Sequence, residues 1–333
     1  MSAAGEDPPP RRRDPPAPPG EVTREHLGGL PTVAGAPPLE HRARPTWGLQ
    51  DGDAIAPGRT ILRRIGGGRR FEVFLVWDDH RLAMLVAKVL RPDHVEHPQG
   101  LHELAREADA LGRLGHPVLV RGFDAVLGGR FPHLLIEHLE GPTLHELLDG
   151  RRGLSLEQLL PLGMHIASAL HYLAGEGMVH LDVKPDNIVM GAPPRLIDLS
   201  VTRTVASAAR LRHPTGTDAY MAPELCAAGT AGTIGPPADV FGLAATLQHA
   251  LTGAPPFPRA AGAHESRDPA VRFPQLVAAP AKVPRRTAPE LAGALAAGLA
   301  RDPGERPTAM ELAAALEPLV GRLPRRMLLG RRA

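Results

Sequence analysis

The stretch of sequence that most constrains the fold is residues 180–198, which read HLDVKPDNIVMGAPPRLID. Its polar residues include Asp182, Lys184 and Asn187 at short spacings and, eleven positions after Asn187, Asp198. The stretches 188–190 and 195–197, which flank a Gly- and Pro-containing turn, predict a two-stranded ribbon. Such a ribbon would bring Asn187 and Asp198 to the same end, so the chain is expected to fold around one cluster of polar side chains.

These residue types suit the transfer of a phosphoryl group from a nucleotide. A hydroxyl that attacks a phosphate needs a carboxylate to orient it and to take its proton, and Asp182 can supply one. Lys184 can neutralise the charge that develops on the moving group. Magnesium takes a few hard oxygen ligands, so Asn187 and Asp198 suffice when ATP supplies others. The alternative interpretation is an ordinary turn, because Asp, Asn and Pro also separate apolar runs in turns.

A glycine-rich turn lies upstream, between two predicted strands. The runs 60–65, 71–77 and 82–90 are β-rich, and residues 66–68 between the first two are all glycine. Without a Cβ, such a turn lets backbone N–H groups approach phosphates closely. A plain hairpin has the same signature, so the turn alone is a weak signal.

Lys88 lies among apolar residues on the third predicted strand and should need a counter-charge. The apolar stripe over residues 101–111 predicts a helix that offers Glu103 and Glu107 as partners. Strand lysines are more often edge residues, and helix carboxylates are often simply solvated.

In order and spacing, these motifs resemble those of the protein kinase superfamily over residues 55–320. Lys184 lies two residues after Asp182, as the corresponding lysine does in the serine/threonine class of the family. A composition rich in Ala, Gly, Pro and Arg favours a bacterial source, so the chain resembles the bacterial (Hanks-type, eukaryotic-like) members. The resemblance implies an enzyme that transfers the γ-phosphate of ATP to Ser or Thr hydroxyls of proteins, including itself.

The resemblance also implies the site residues. ATP would be bound by Ile65, Gly66, Gly67, Gly68, Val73, Ala87, Lys88, Glu137, Leu139 and Val189. Asp182 would accept the proton, Lys184 would neutralise the phosphate, and Asn187 and Asp198 would hold Mg²⁺ or Mn²⁺.

Six further residues would support the site by resemblance, namely Glu107, His180, Thr217, Glu224, Asp239 and Arg306. Glu107 is preferred over Glu103 as the partner of Lys88 because it lies nineteen residues later, as the ion-pair Glu of the family does. Asp239 would hold the backbone of the catalytic loop, and Arg306 would pair with Glu224.

Three positions depart from the family pattern. Phe71 stands where the third glycine of the glycine-rich turn belongs, Leu199-Ser200 replaces Phe-Gly, and Leu181 replaces an Arg that receives an activation-loop phosphate in many kinases. Two alternatives therefore stay open. One is a pseudokinase scaffold that binds nucleotide or partners without turnover. The other is a small-molecule kinase of the aminoglycoside phosphotransferase kind. It is disfavoured because residues 217–224 resemble the substrate-docking segment of protein kinases, which such enzymes lack.

The predicted fold is α+β and two-lobed. A five-stranded β-rich N-lobe (55–137) would join a mainly helical C-lobe (142–320), whose helices are expected to open at four Ser/Thr residues that have Glu or Gln three positions later. These openings are Thr143, Ser155, Thr287 and Thr308. Residues 1–50 are expected to form a disordered Pro-rich arm, and residues 321–333 a basic tail.

Composition limits the other function classes. A net charge of +2 over 333 residues gives no reason to expect a nucleic-acid partner. A single cysteine, Cys226, excludes an intramolecular disulfide and a cysteine-based zinc cluster. No apolar run reaches the ~18 to 20 residues of a membrane anchor, so a cytoplasmic location is expected. The sequence gives no support for dimerisation.

Overall fold

A six-stranded antiparallel sheet forms the N-lobe in the computed structural model, which describes residues 44–150, 153–229 and 232–323. The strands are β1 (Ala54–Ala56), β2 (Arg59–Gly67), β3 (Phe71–Asp78), β4 (Ala83–Leu90), β5 (Gly122–Val126) and β6 (His133–Glu137). Their order in the sheet is β1-β2-β3-β4-β6-β5. The sequence predicts five strands, and the sixth is the three-residue β1, which is too short to give a periodic signal.

Side chains alternate between the two faces of this sheet, as the strand period of two requires. On β4, Ala87 and Val89 face a cluster with Phe74 and Leu135 on the outer side. Val86 and Leu90 face the main core, which continues into the C-lobe. The face to which a β4 side chain points therefore decides whether it can reach the space between the lobes.

Two helices separate β4 from β5, namely α1 (Pro92–Val95) and α2 (Pro98–Arg113). Both begin with Pro at the first helical position, where a missing N–H costs nothing. The predicted apolar stripe of α2 lies against the sheet, with Leu104 and Leu111 buried. Glu107 is also buried, and the helix thereby presents a carboxylate to the interior.

The C-lobe is mainly helical. Its helices are α3 (Leu144–Leu148), α4 (Leu156–Gly175), α5 (Val205–Ala208), α6 (Pro223–Cys226), α7 (Pro236–Thr252), α8 (Pro269–Arg272), α9 (Pro289–Gly298) and α10 (Ala309–Gly321). Two small antiparallel ribbons complete it: β7 (Met178–Val179) with β10 (Arg203–Thr204), and β8 (Ile188–Val189) with β9 (Arg195–Leu196). The β8–β9 ribbon is the one that the sequence predicts between Asn187 and Asp198.

Three of the four predicted helix openings have the expected contacts. Thr143 and Thr308 form capping boxes with Glu146 and Glu311, and the Ser155 N–H donates to Gln158. The prediction at Thr287 is wrong. Helix α9 begins two residues later at Pro289, without a side-chain cap, because proline already fixes the first turn.

At the N-terminus, packed residues extend beyond the predicted start of the domain. Residues 1–43 of the predicted arm lie outside the described residues, but residues 44–50, included in that arm, pack on the sheet. Trp47 lies edge-on to Phe131 with ring centroids 5.1 Å apart, and its Nε1 donates to the Leu90 carbonyl. Most of the predicted basic tail, residues 324–333, also lies outside the described residues. Among the helices of the described chain, none combines the length and apolarity that crossing a bilayer requires.

Candidate active site

A cleft of about 840 Å³ lies between the sheet of the N-lobe and the loops of the C-lobe. Of the residues predicted from the sequence, those that line it are Ile65, Gly66, Gly67, Gly68, Val73, Lys88, Glu137, Leu139, Lys184, Asn187, Val189 and Asp198. Residues that are 133 positions apart in the chain thus converge on one cavity, from Ile65 to Asp198. Asp182 lies beside the cleft and is hydrogen-bonded to two of the residues that line it.

The prediction for Ala87 is wrong. Ala87 is fully buried on the outer face of the sheet, in the cluster with Phe74 and Leu135. Val86 lines the cleft instead, because it lies two residues before Lys88 and so shares its face of the strand. Strand alternation could have identified Val86 from the sequence alone.

Lys88 contacts two carboxylates that the sequence analysis names, those of Glu107 and Asp198. Its Nζ donates to Glu107 Oε1 at 2.5 Å and to Asp198 Oδ1 at 2.8 Å. Burial disfavours the ammonium ion, but attraction to Asp198 and Glu107 outweighs it and raises the pKa of Lys88 above its ordinary value. Burial alone would raise the pKa of Asp198, yet the attraction of Lys88 lowers it, so the carboxylate stays ionised at neutral pH.

A second network surrounds Asp182. Lys184 Nζ donates to Asp182 Oδ2 at 2.8 Å and to Thr217 Oγ1 at 2.6 Å, and Thr217 in turn donates to Asp182 Oδ1 at 2.7 Å. Asn187 Nδ2 donates to the Asp182 carbonyl at 2.9 Å and to its Oδ2 at 3.1 Å. These contacts fix both carboxylate oxygens of Asp182 and leave the amide oxygen of Asn187 as the atom able to bind a metal ion.

The loop that carries Asp182 is held from below by α7. Asp239 is 4% exposed and accepts hydrogen bonds from the backbone N–H groups of His180 and Leu181, both at 2.7 Å. Leu181 and Asp198 both have φ of +67°, in the left-handed region that non-glycine residues rarely adopt. The surrounding contacts therefore impose an unusual backbone at both ends of the site.

Glu224 and Arg306 form a buried fork below the segment that follows Thr217. The two guanidinium Nη atoms donate to the two carboxylate oxygens at 2.7 and 2.8 Å, and the side chains are 1% and 0% exposed. Arg306 also donates to the carbonyls of Pro237, Ala300 and Arg301. The pair ties the start of α6 to the loop before α10.

The departures from the family pattern are accommodated without disruption. Phe71 packs in the main core, and its ring centroid lies 5.1 Å from Lys88 Nζ. Leu199 is 1% exposed in the same core. The described non-glycine residues with positive φ are Leu82, Leu181 and Asp198. Ser200 therefore does not need the backbone freedom of the glycine it replaces.

Several residues that line the cleft were missed by the sequence analysis. They include Val86, Val120, Thr143, Glu146, Asp186 and Ile197. Ile197 could have been predicted from the sequence, since it precedes Asp198 on the predicted ribbon. Val120 was not, because it enters the cleft from the connection before β5, which has no motif. Glu137, the last residue of β6, accepts hydrogen bonds from Arg195 and Arg121, and local spacing does not predict these contacts between distant segments.

Comparison with known proteins agrees with this geometry, and residues 59–315 match the protein kinase domain family. The chain belongs to the protein kinase family, so the resemblance and the two-lobed α+β fold inferred from its motifs are confirmed.

Its curated relatives include bacterial kinases. It is 32% identical over 256 residues to serine/threonine-protein kinase PknD of Mycobacterium tuberculosis, covering 74% of this chain and 37% of the relative. It is 34% identical over 215 residues to probable serine/threonine-protein kinase PkwA of Thermomonospora curvata, covering 63% and 28%. It is 28% identical over 202 residues to serine/threonine-protein kinase PknB of Mycobacterium leprae, covering 58% and 32%. The matches span about a third of the length of these relatives.

Proposed function

We propose that the chain is a serine/threonine protein kinase that transfers the γ-phosphate of ATP to Ser or Thr hydroxyls of proteins, including its own. The observation that carries this proposal is the meeting of Lys88, Asp182, Asn187 and Asp198 at one cleft. The names of the relatives support the serine/threonine class. ATP and protein substrates suit a cytoplasmic location, as does the buried free thiol of Cys226.

Asp182 is the proton acceptor in this proposal. The substrate hydroxyl donates a hydrogen bond to Asp182, its oxygen attacks the γ-phosphorus, and the bond from that phosphorus to the β–γ bridging oxygen breaks to release ADP. The hydroxyl proton passes to the carboxylate. Thr217 and Lys184 hold that carboxylate in place, and Lys184 also stabilises the negative charge on the transferred group.

Lys88 grips the α- and β-phosphates while Glu107 holds it in position. Asn187 and Asp198 offer an amide and a carboxylate oxygen, a small set of hard donors that fits Mg²⁺ or Mn²⁺ bound together with nucleotide phosphates. When bound, the ion neutralises phosphate charge and orients the reacting group. The raised pKa of Lys88 keeps its cation present for this task at neutral pH.

The test is transfer of radiolabelled γ-phosphate from ATP to a general protein acceptor, followed by acid hydrolysis and separation of the phosphoamino acids. Label on phosphoserine or phosphothreonine that depends on added Mg²⁺ is expected. Nucleotide binding without transfer would contradict the proposal and fit a pseudokinase scaffold. Label on a small-molecule hydroxyl but not on protein would fit a small-molecule kinase.

Substitution of Val86 by Phe is expected to raise the KM for ATP about tenfold, because the larger ring would occupy the cleft face of β4. The matched control is Ala87→Val on the opposite face, which should lower the unfolding temperature by overpacking the outer cluster while leaving the KM unchanged. Steady-state kinetics and thermal unfolding of both variants measure this. If Ala87→Val raised the KM for ATP and Val86→Phe did not, Ala87 and not Val86 would line the nucleotide site.

Combined substitution of Thr202, Thr204 and Ser207 by Ala is expected to leave kcat within about tenfold of the parent chain. Thr202 is fully buried, and Thr204 accepts a hydrogen bond from the Ser207 N–H at the start of α5, so the loop is ordered without a phosphate. Loss of that cap should cost only about 1 kcal/mol of stability. A hundredfold drop in turnover would show that phosphorylation of this loop is required.

A further inference from the structure

The tip of the glycine-rich hairpin has little support from the sheet itself. Strand β1 pairs with Arg59 and Thr60 at the far end of β2, so residues 62–67 are exposed and pair with β3 alone among the described strands. A two-stranded ribbon is only marginally stable by itself in water. Other contacts must therefore fix where residues 66–68 lie above the cleft.

One such contact is the buried carboxylate of Glu72, which lies opposite Gly67 in the β2–β3 pairing. Glu72 is 1% exposed. Its Oε2 accepts a hydrogen bond from the Trp47 N–H at 3.0 Å, and its Oε1 accepts one from the Thr46 hydroxyl. A buried carboxylate is costly unless it is hydrogen-bonded, so segment 44–47 stabilises this strand of the hairpin directly.

The second contact is Arg91, which is 5% exposed. Its Nε donates to the Gly68 carbonyl and its Nη1 to the Pro45 carbonyl, both at 2.9 Å, while its backbone N–H donates to the Arg70 carbonyl. Gly67, with φ of +153°, lies so close that a Cβ there would be 3.4 Å from Nη2 of Arg91. One guanidinium thus bridges the glycine-rich turn and the segment before the sheet.

The segment itself is attached to the rigid part of the lobe by Trp47. The indole Nε1 donates to the Leu90 carbonyl at 2.7 Å, and the ring packs edge-on against Phe131. Leu90 immediately precedes Arg91 at the end of β4. Residues 45–47 therefore contact the end of β4 through Trp47, and the hairpin through Glu72 and Arg91.

We propose that residues 45–47, Glu72 and Arg91 form an anchor that positions the glycine-rich hairpin over the nucleotide phosphates. This proposal rests on the proposed function. Glu72 and Arg91 face away from the cleft and act as positioning residues, since neither lines the cavity. If the hairpin is correctly placed in only a tenth of the molecules, the apparent dissociation constant for nucleotide rises about tenfold.

The experiment compares Glu72→Gln, Arg91→Lys and Trp47→Phe with the full-length parent chain. Each variant is expected to raise the KM for ATP, and the dissociation constant of a non-hydrolysable ATP analogue, about tenfold. The kcat should stay within about twofold, because the groups that act on the γ-phosphate are unchanged. Amide hydrogen exchange over residues 66–72 should become faster. Two controls should change none of these quantities. One is Gln50→Ala, at an exposed position three residues after Trp47, and the other is Arg113→Ala, at an exposed position on α2.

Unchanged KM and unchanged hydrogen exchange in the three variants would overturn the proposal, as would a loss confined to kcat. Arg91→Lys keeps the charge and Trp47→Phe keeps an aromatic ring, so these two decide the matter if Glu72→Gln does not fold. The behaviour of the parent chain distinguishes failure of the proposed function from failure of the anchor proposal. A parent that binds no ATP analogue would contradict the proposed function, whereas a parent that binds and transfers normally beside unaffected variants would contradict the anchor alone.

Discussion

Replacing Asp182 with Asn is expected to lower kcat for protein phosphorylation by about 10²- to 10⁴-fold, which corresponds to about 3 to 5 kcal/mol of activation free energy. Asparagine keeps the size of the side chain but cannot accept the proton of the substrate hydroxyl. Nucleotide affinity should change little, because Lys88 and Asp198 hold the other side of the cleft. The measurements are single-turnover transfer of radiolabelled phosphate and titration with an ATP analogue.

A matched control for this variant is Asp109→Asn, whose carboxylate is exposed on α2 and pairs only with Arg113 among the described contacts. It should retain parental kcat. If Asp182→Asn kept more than about a tenth of the parental rate, far above the remainder expected without a proton acceptor, another group would have to receive the proton. The roles assigned to Lys184 and Thr217 would then also have to be revised.

Replacing Arg306 with Met is expected to lower the free energy of unfolding by about 3 to 5 kcal/mol, because it leaves the Glu224 carboxylate buried without a partner. Three backbone carbonyls would lose a donor as well. Chemical denaturation followed by circular dichroism measures the loss. Activity should fall in parallel with the folded fraction, since the fork contacts neither Lys88 nor Asp182.

The double variant Arg306→Met with Glu224→Leu should recover part of this loss, because no unpaired charge remains in the interior. The control is Arg322→Ala, which breaks an exposed pair with Glu290 and should change stability by less than about 1 kcal/mol. Equal effects of Arg306→Met and Arg322→Ala would mean that burial does not govern the strength of these pairs.

The sequence was most informative where function depends on spacing within one segment. Asp182, Lys184 and Asn187 lie on one short loop, so their spacing already fixes which side chains can meet. Asp198 joins them through a ribbon of two-residue strands, which the stretches 188–190 and 195–197 predicted. Lys88 and Glu107 required more, because only the family spacing distinguished Glu107 from Glu103.

The sequence was least informative where a contact depends on packing between distant segments. Ala87 is a different case, because side-chain alternation counted from Lys88 already places Val86, and not Ala87, on the cleft face of β4. Residues 44–50 were assigned to the arm because they lack periodicity, yet Trp47 finds its partners at Leu90 and Phe131. The start of α9 was misplaced because Pro289 fixes the first turn without help from Thr287.

The replacement of an arginine by Leu181 has a consequence for how such an enzyme can be controlled. Its side chain is 4% exposed and packs in the same apolar cluster as Ala208 of α5 and Leu225 of α6. Apolar packing of this kind stabilises the loop whether or not a phosphate is attached. It does not depend on charge, so neither dephosphorylation nor added salt should weaken it. We therefore expect that any switching of this kinase acts through something other than a phosphate bound at residue 181.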